Sequence, residues 1–99
     1  MPLEINRSPK AERDAFSIWD YIAPHNPTAA EKMLRRIDKA IQMLAERPGN
    51  GRSYEEFGTG VRIFPVDNYM VFYRHSDTIL TVIRILHAAR DMTPDLFTD

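Results

Sequence analysis

The stretch VRIFPVDNYMVFYRHSDTILTVIRILH, residues 61–87, decides the fold, because apolar and polar residues alternate through most of it. Alternation with a period of two is the pattern of β-strands. The stretch predicts three strands, Val61 to Val66, Tyr69 to Arg74 and Ile79 to Leu86, joined by tight turns at Asp67-Asn68 and around Ser76-Asp77. The third strand is nearly continuous in apolar residues, which is typical of a central strand buried on both faces.

Two helices are predicted before this stretch, because the apolar residues there recur at intervals of three and four. Ser8 caps the first helix, which begins at Pro9 and ends at Pro24. Asn26 caps the second helix, which runs to about Arg47. A connection of only a few residues between them favours an antiparallel helical hairpin.

The predicted element order is strand, helix, helix and three strands, because Leu3-Glu4-Ile5 alternates like a short first strand. Residues 48–60 contain four glycines and a proline, which predicts a loop. We therefore expect an α+β fold in one domain over residues 1–99, with the helical hairpin on one face of a small, mainly antiparallel sheet. The other face is expected to be open, and the tail from about residue 91 to be loosely attached.

The length and composition of the chain limit the kinds of function that it can have. A chain of 99 residues has little room for a deep substrate cavity, so a shallow binding surface is expected. A net charge of −1 argues against a protein that coats nucleic acid, because such proteins gain affinity by neutralising phosphates. The absence of cysteine excludes thiolate nucleophiles and cysteine-type zinc sites, and the three histidines lack ligand spacing. We expect no metal and no cofactor.

The cellular compartment is predicted from what the sequence lacks. The first residues do not combine a basic region with an apolar run, so no signal peptide is expected. Apolar stretches also fall short of the roughly 20 residues that span a membrane. We expect a cytoplasmic protein without a membrane partner.

Hairpin pairing predicts which strand residues share a face of the sheet. With two-residue turns, Val66 pairs with Tyr69 and His75 pairs with Thr78, and the faces alternate from there. The residues expected on the open face are Arg62, Phe64, Val66, Tyr69, Val71, Tyr73, Leu80, Val82, Arg84 and Leu86. The residues expected against the helices are Ile63, Phe72, Thr81, Ile83 and Ile85.

Arg84 and His87 are the strand residues that could have a binding or catalytic role. Arg84 interrupts an apolar strand, where a charge destabilises the fold unless it is paired or hydrated. It is either paired with a carboxylate from a neighbouring loop or exposed on the open face to contact an anion or acidic partner. His87, with Arg90 just beyond, is either a packing and hydrogen-bonding residue or a general acid or base.

The helices carry two further candidate surfaces. A basic stripe opposite the apolar side of the second helix consists of Lys32, Arg35, Arg36 and Lys39. Such a stripe is either a solvated helix face or a contact for phosphate or an acidic protein. Trp19 and Ile22 lie on the apolar stripe of the first helix, where core packing is the usual role and anchoring a partner is the alternative.

Four segments occur in an order that resembles the ParE/RelE superfamily of type II toxin–antitoxin toxins, most closely its ParE branch. They are SPKAERDAFSIWDYIA (8–23), NPTAAEKMLRRIDKAIQMLAERPGNGR (26–52), GVRIFPVDNYMVFYR (60–74) and ILTVIRILHAARD (79–91). The resemblance implies a strand–helix–helix–sheet fold and a toxin neutralised by a cognate, ParD-like antitoxin that wraps its helices and sheet. The antitoxin-binding candidates are Trp19, Ile22, Lys32, Arg36 and Tyr69.

Two targets divide this superfamily. ParE-like toxins inhibit DNA gyrase without a known reaction of their own, whereas RelE-like toxins cut mRNA on the ribosome. Under the RelE alternative, the catalytic candidates are Arg62, Arg84 and His87. Glu55 or Glu56 together with His87 also bears a weak resemblance to the glutamate–histidine pair of some relatives.

Charge and loop composition favour the gyrase alternative. Residues 51–60 contain only Arg52 as a basic residue, and a ribosome-directed nuclease is expected to be strongly basic. We therefore predict a gyrase inhibitor that does not bind nucleic acid sequence-specifically. A toxin that binds its antitoxin but no longer poisons a target is a third alternative. The target-contact candidates are Arg62, Tyr73, Arg84, His87 and Arg90.

Overall fold

The computed structural model describes residues 1–89. Within them the elements follow the predicted order: β1 (Glu4–Arg7), α1 (Pro9–Ile22), α2 (Pro27–Glu46), β2 (Arg52–Ser53), β3 (Arg62–Val66), β4 (Tyr69–His75) and β5 (Ile79–His87). Short 3₁₀ turns at Pro48–Asn50 and Glu55–Phe57 flank β2. The sequence did not predict β2, because two residues are too few to show a periodicity. The predicted tail and Arg90 lie outside the described residues.

The described strands form one sheet in the order β1-β5-β4-β3-β2. β1 runs parallel to β5, and the other neighbours are antiparallel. β5 therefore lies between β1 and β4, as its continuous apolar sequence predicted. The Asp67-Asn68 turn is confirmed by the pairing of Val66 with Tyr69, and Asp67 has a φ of 53°.

Both helices begin at the predicted caps. The Ser8 hydroxyl accepts a hydrogen bond from the Ala11 amide at 3.0 Å, and the Asn26 carboxamide oxygen accepts one from the Ala29 amide at 3.0 Å. Each cap satisfies a backbone N–H that has no partner within its own helix. The Ser8 hydroxyl also donates to the Ile83 carbonyl at 2.7 Å, so the same side chain fastens the start of α1 to β5.

The helices cover the face of the sheet that the sequence predicted to be open. The buried strand residues packed with Ala11, Ile18, Ile37, Ile41 and Leu44 are Val66, Tyr69, Val71, Tyr73, Leu80, Val82 and Ile85. The predicted face assignment is thus inverted for most positions, including Tyr69 and Tyr73. Hairpin pairing determines which residues share a face, but it does not determine which face the helices cover.

The second face is not open either. Its buried residues are Val61, Ile63, Phe72, Ile83 and Leu86, and Tyr54, Phe57 and Met70 pack against them. The ring of Phe57 meets that of Phe72 edge-on, with centroids 5.9 Å apart. The segment before β3 therefore folds back over the sheet and encloses a second, smaller apolar cluster.

A β-bulge changes the register of β5. Tyr73 pairs with Val82, but its neighbour Phe72 pairs with Arg84, so Ile83 is the extra residue. The bulge shifts every later residue of β5 by one face. Arg84 consequently lies opposite Phe72 of the second face, whereas Ile85 packs in the helix-side core.

Candidate functional site

Arg84 forms a buried ion pair with Asp14 of α1. Its Nε and Nη2 atoms donate to the two carboxylate oxygens, each at 2.8 Å, and both side chains are 11% exposed. The Asp14 Oδ2 atom also accepts the Ile85 amide at 2.9 Å. Hydrogen bonding to Asp14 raises the pKa of Arg84, so the guanidinium stays charged. The ion-pair interpretation is therefore correct, although the carboxylate comes from a helix and not from a loop.

The Asp14–Arg84 pair belongs to a seam that joins α1 to the edge of β5. β1 pairs with β5 only as far as Val82. Beyond that residue, the edge of β5 is contacted by α1. The Ser8 amide donates to the Val82 carbonyl at 2.9 Å, and Asp14 accepts the amide of Ile85. Arg84 is thus a structural residue, and its predicted exposure on an open face is wrong.

Arg62 and Tyr73 hold the loop after α2. The buried Tyr73 hydroxyl donates to the Pro48 carbonyl at 2.6 Å and accepts the Gly51 amide at 2.8 Å. Arg62 donates from Nη1 to the Gly51 carbonyl at 2.7 Å. A Cβ atom at Gly51 would lie 2.2 Å from the Tyr73 hydroxyl, so this close approach requires glycine. Burial raises the pKa of Tyr73, which keeps the phenol protonated as the donor.

Among residues 1–89, the predicted target-contact residues Arg62 and Arg84 are not brought together. Arg62 lies opposite Tyr73 and Arg84 lies opposite Phe72, so the register places the two arginines on opposite faces. Tyr73 is fully buried and has no surface to offer a partner. The bulge at Ile83 separates these residues, and one sequence cannot reveal a bulge without a glycine or proline to mark it.

His87 lies at a shallow pocket beside α1. Its imidazole meets the Tyr69 ring edge-on, with centroids 5.2 Å apart, and its Nδ1 atom accepts the Ala89 amide at 3.1 Å. The pocket holds about 320 Å³ and is lined by Asp14, Ser17, Ile18, Tyr21, Tyr69, Ile85, Leu86 and His87. Burial and the nearby Tyr21 phenol raise the pKa of Tyr69. Tyr69 lines this pocket and is only 7% exposed, so it is not an exposed contact residue.

The glutamate–histidine pair of the RelE alternative is not brought together. Glu55 accepts the Gly60 amide at 3.0 Å, just before β3 begins at Arg62 opposite Tyr73. His87 lies opposite Tyr69, which precedes Tyr73 by four residues in β4. Four residues of strand span about 13 Å. A general acid or base at His87 would therefore have no carboxylate from this loop beside it.

The outer side of the helical hairpin carries an exposed apolar surface. Phe16 is 72% exposed, and Trp19 is also exposed. With Ala15 and Leu34 they line a depression of about 270 Å³, which we call the hairpin groove. Ile22, the other predicted anchor, packs partly buried against the helix-side core.

The basic stripe of α2 is exposed, as its position opposite the apolar side predicted. Arg35 pairs with Glu31 one turn earlier, and Arg36 pairs with Asp67 of the β3–β4 turn at 2.6 Å. Exposed pairs of this kind contribute little to stability. They leave Lys32 and Arg36 on a solvated face that a partner can approach.

Asp14 is the central residue that sequence reasoning missed. It follows Ala11 by three positions and precedes Ile18 by four, so it lies on the apolar stripe of α1. A carboxylate on such a stripe signals a buried partner. Among residues 1–89 no cluster of histidine, cysteine, aspartate or glutamate is suited to a metal ion. Over the same range, no helix is long and apolar enough to cross a membrane.

Comparison with known proteins decides the family. A family model described as the ParE toxin of type II toxin–antitoxin system, parDE, matches residues 5–92. The chain belongs to the ParE toxin family. This ParE-family toxin is 36% identical over 81 residues to Toxin RelE2 of Caulobacter vibrioides, covering 82% of the chain and 90% of the relative. It is 31% identical over 91 residues to Toxin ParE1 of Mycobacterium tuberculosis, with coverages of 90% and 93%.

Solved structures share the fold of this ParE-family toxin. A chain of the chromosomal ParDE system from P. aeruginosa superposes with a TM-score of 0.72 at 20% identity, covering 86% of this chain and 95% of that one. The RelBE2 toxin–antitoxin complex from Mycobacterium tuberculosis gives a TM-score of 0.64 at 19% identity, with coverages of 88% and 99%. The predicted α+β architecture is thereby confirmed.

Proposed function

We propose that this ParE-family toxin arrests growth by inhibiting DNA gyrase, and that a cognate ParD-like antitoxin neutralises it. The choice of target rests on one observation, that Arg62 and Arg84 are both hydrogen-bonded inside the protein. Arg84 is held by Asp14 and Arg62 by the Gly51 carbonyl, on opposite faces of the sheet. RNA cleavage needs preorganised cations around one reacting phosphate. Two separated, internally bonded arginines do not supply them, which favours binding over catalysis.

The hairpin groove is the surface that best suits the antitoxin. Phe16 and Trp19 present aromatic area beside Leu34, between two helices. An amphipathic helix that lays its apolar side into such a groove is a recurrent mode of recognition. Lys32 and Arg36, exposed on α2, add positive charge for acidic residues of the partner. The RelBE2 structure that shares this fold is itself a toxin–antitoxin complex.

Mode of action is tested by measuring which synthesis stops first after the toxin is induced in cells. A gyrase inhibitor stops incorporation of labelled thymidine before incorporation of labelled leucine. An mRNA nuclease gives the reverse order, and that result would refute the proposal. An uninduced culture and a culture that expresses the antitoxin as well are the controls.

The RelE-like alternative is supported by one specific observation, the 36% identity to a relative named Toxin RelE2. If leucine incorporation stops first, primer extension on ribosome-bound messages would show whether cuts occur. Arg62→Gln is then the informative variant. The Arg62 side chain is only half-buried and its hydrogen bond is to a backbone carbonyl. Its substitution should therefore destabilise the fold less than a substitution of Arg84.

A further inference from the structure

The loop after α2 contains Asn50-Gly51, the one asparagine–glycine pair in the sequence. Such a pair is prone to deamidation, because the backbone nitrogen after asparagine can attack the side-chain amide and glycine has no side chain to hinder it. The other asparagines, Asn6, Asn26 and Asn68, are followed by arginine, proline and tyrosine. Deamidation of this chain is therefore expected first at Asn50.

The packing of the loop requires the glycine of this pair. Gly51 is buried, and a Cβ atom built on it would overlap the hydroxyl of Tyr73. A larger residue at this position would therefore displace the Tyr73 ring from the core. The fold keeps a chemically labile pair at a position where substitution of the glycine is costly.

The attacking nitrogen of the pair is held by a buried hydrogen bond. The Gly51 amide donates to the Tyr73 hydroxyl at 2.8 Å, and that hydroxyl donates its own proton to the Pro48 carbonyl at 2.6 Å. Burial raises the pKa of Tyr73, so the phenol stays protonated and does not act as a base toward the amide. Arg62 holds the Gly51 carbonyl at 2.7 Å. The Gly51 nitrogen must leave Tyr73 before it can attack.

The asparagine of the pair is held less firmly. The Asn50 side chain is exposed, and its Nδ2 atom donates to the Met43 sulfur at 3.1 Å. A thioether is a weak acceptor, so this contact restrains the side chain only slightly. The Asn50 backbone amide donates to the Arg47 carbonyl at 3.1 Å. The main obstacle to ring closure is therefore the hydrogen bond between Gly51 and Tyr73.

We propose that Asn50 is a deamidation site that the hydrogen bond from the Gly51 amide to Tyr73 keeps unreactive in the folded toxin, and that reacts when the loop opens. The Gly51 nitrogen gives its proton to a solvent base and bonds to the Asn50 Cγ atom. The bond from Cγ to Nδ2 then breaks, and the nitrogen leaves as ammonia after taking up a proton from solvent. Water opens the resulting succinimide at either carbonyl, which yields aspartate or isoaspartate.

The products would prevent the loop from closing again as before. Isoaspartate adds a carbon atom to the main chain just before Gly51, so the glycine can no longer meet Tyr73 and Arg62 in the same position. Either product also adds one negative charge, because the new carboxyl group is ionised at neutral pH. We expect the modified toxin to be less stable, whichever target the toxin has.

The test is peptide mapping by mass spectrometry, with an isoaspartate assay, of toxin incubated at mildly alkaline pH. Tyr73→Phe should deamidate at Asn50 about tenfold faster than the unmodified toxin, which corresponds to the loss of one hydrogen bond worth about 1.4 kcal/mol. Ile37→Val, which removes one methyl group from the core and leaves Tyr73 intact, is the matched control and should keep the unmodified rate. Toxin denatured in guanidinium gives the rate of the unprotected pair and should be the fastest.

The proposal would be overturned by equal rates in folded and denatured toxin, or by a Tyr73→Phe rate no higher than that of the unmodified toxin. Equal acceleration by Ile37→Val would also overturn it, because the reaction would then follow global unfolding. Circular dichroism verifies that each variant is folded. If Tyr73→Phe does not fold, Arg62→Gln, which frees the Gly51 carbonyl, replaces it and should give a smaller acceleration; an unchanged rate would again contradict the proposal.

Discussion

At the scale of single residues, the seam between α1 and β5 depends on one carboxylate. Asp14 satisfies the guanidinium of Arg84 and the backbone amide of Ile85 together, at a position that water hardly reaches. Removing one member of such a pair leaves the other charge buried and uncompensated, which costs more than the pair itself contributes. Arg84 therefore cannot be treated as a surface residue in mutagenesis.

Arg84→Ala is expected to lower the free energy of unfolding by about 3–5 kcal/mol. Removing Asp14 as well should cost less than the sum of the two single changes, because no charge is then left unpaired. Urea denaturation of the single and double variants measures both quantities. Arg35→Ala, at an exposed pair, is the control and should cost less than about 1 kcal/mol. A loss below 1 kcal/mol for Arg84→Ala would contradict the buried pair.

Tyr73→Phe is expected to cost about 1–3 kcal/mol, because the Gly51 amide and the Pro48 carbonyl lose their partner inside the protein. Burial raises the pKa of Tyr73 above its ordinary value of 10.0. The unfolded phenol therefore loses its proton at a lower pH than the folded one.

Stability should consequently be complete below pH 10 and fall as the pH rises through the folded pKa. Tyr73→Phe should show a shallower alkaline decline in unfolding free energy, measured by urea denaturation between about pH 8 and 11. Identical slopes for the two proteins would show that the Tyr73 hydroxyl is not held as described.

At the scale of elements, the sequence predicted each main helix and strand because local chemistry determines them. Serine or asparagine before proline begins each helix, and alternation delimits β3, β4 and β5. The faces were not predictable from local rules, because hairpin pairing leaves open which side the helices cover. The bulge at Ile83 depends on the fit of α1 against the edge of β5, a contact between residues about 70 positions apart.

The apolar side of α2 provides a graded test of this packing. Ile37 is buried in the helix-side core, whereas Leu34 lines the hairpin groove and is only partly buried. Ile37→Ala should lower the free energy of unfolding by about 2–5 kcal/mol. Leu34→Ala should cost less, because the Leu34 side chain is only partly buried. Equal losses, measured by thermal or urea unfolding, would show that the face of α2 is misassigned.

The hairpin groove can be tested with two exposed aromatic residues of the same helix. Phe16 is 72% exposed beside the groove, and Tyr21 is 77% exposed but lines the pocket that holds His87. Phe16→Ala should weaken antitoxin binding roughly 30-fold, the loss typical of an aromatic anchor worth about 2 kcal/mol. Isothermal titration calorimetry with the cognate antitoxin measures it. Tyr21→Ala should change the affinity much less, and the opposite ranking would locate the antitoxin elsewhere.

At the scale of the whole molecule, the structure agrees with the sequence on the fold and differs from it on the site. Four segments in order were enough to recognise the ParE/RelE resemblance, and the family match over residues 5–92 confirms it. Arg62 and Arg84 do not form the predicted group of exposed arginines, because each donates hydrogen bonds to an oxygen acceptor within the protein. Exposed positive charge lies instead on the outer side of α2, at Lys32, Arg35, Arg36 and Lys39.

The central claim is that this toxin acts by binding gyrase. It is tested most directly by a supercoiling assay with purified gyrase, relaxed plasmid and folded toxin, with and without the antitoxin. We predict that the toxin inhibits supercoiling in proportion to its concentration and that the antitoxin restores it. Full supercoiling in the presence of excess toxin, shown to be folded by circular dichroism, would contradict inhibition of gyrase. The ribosome would then be the next target to test.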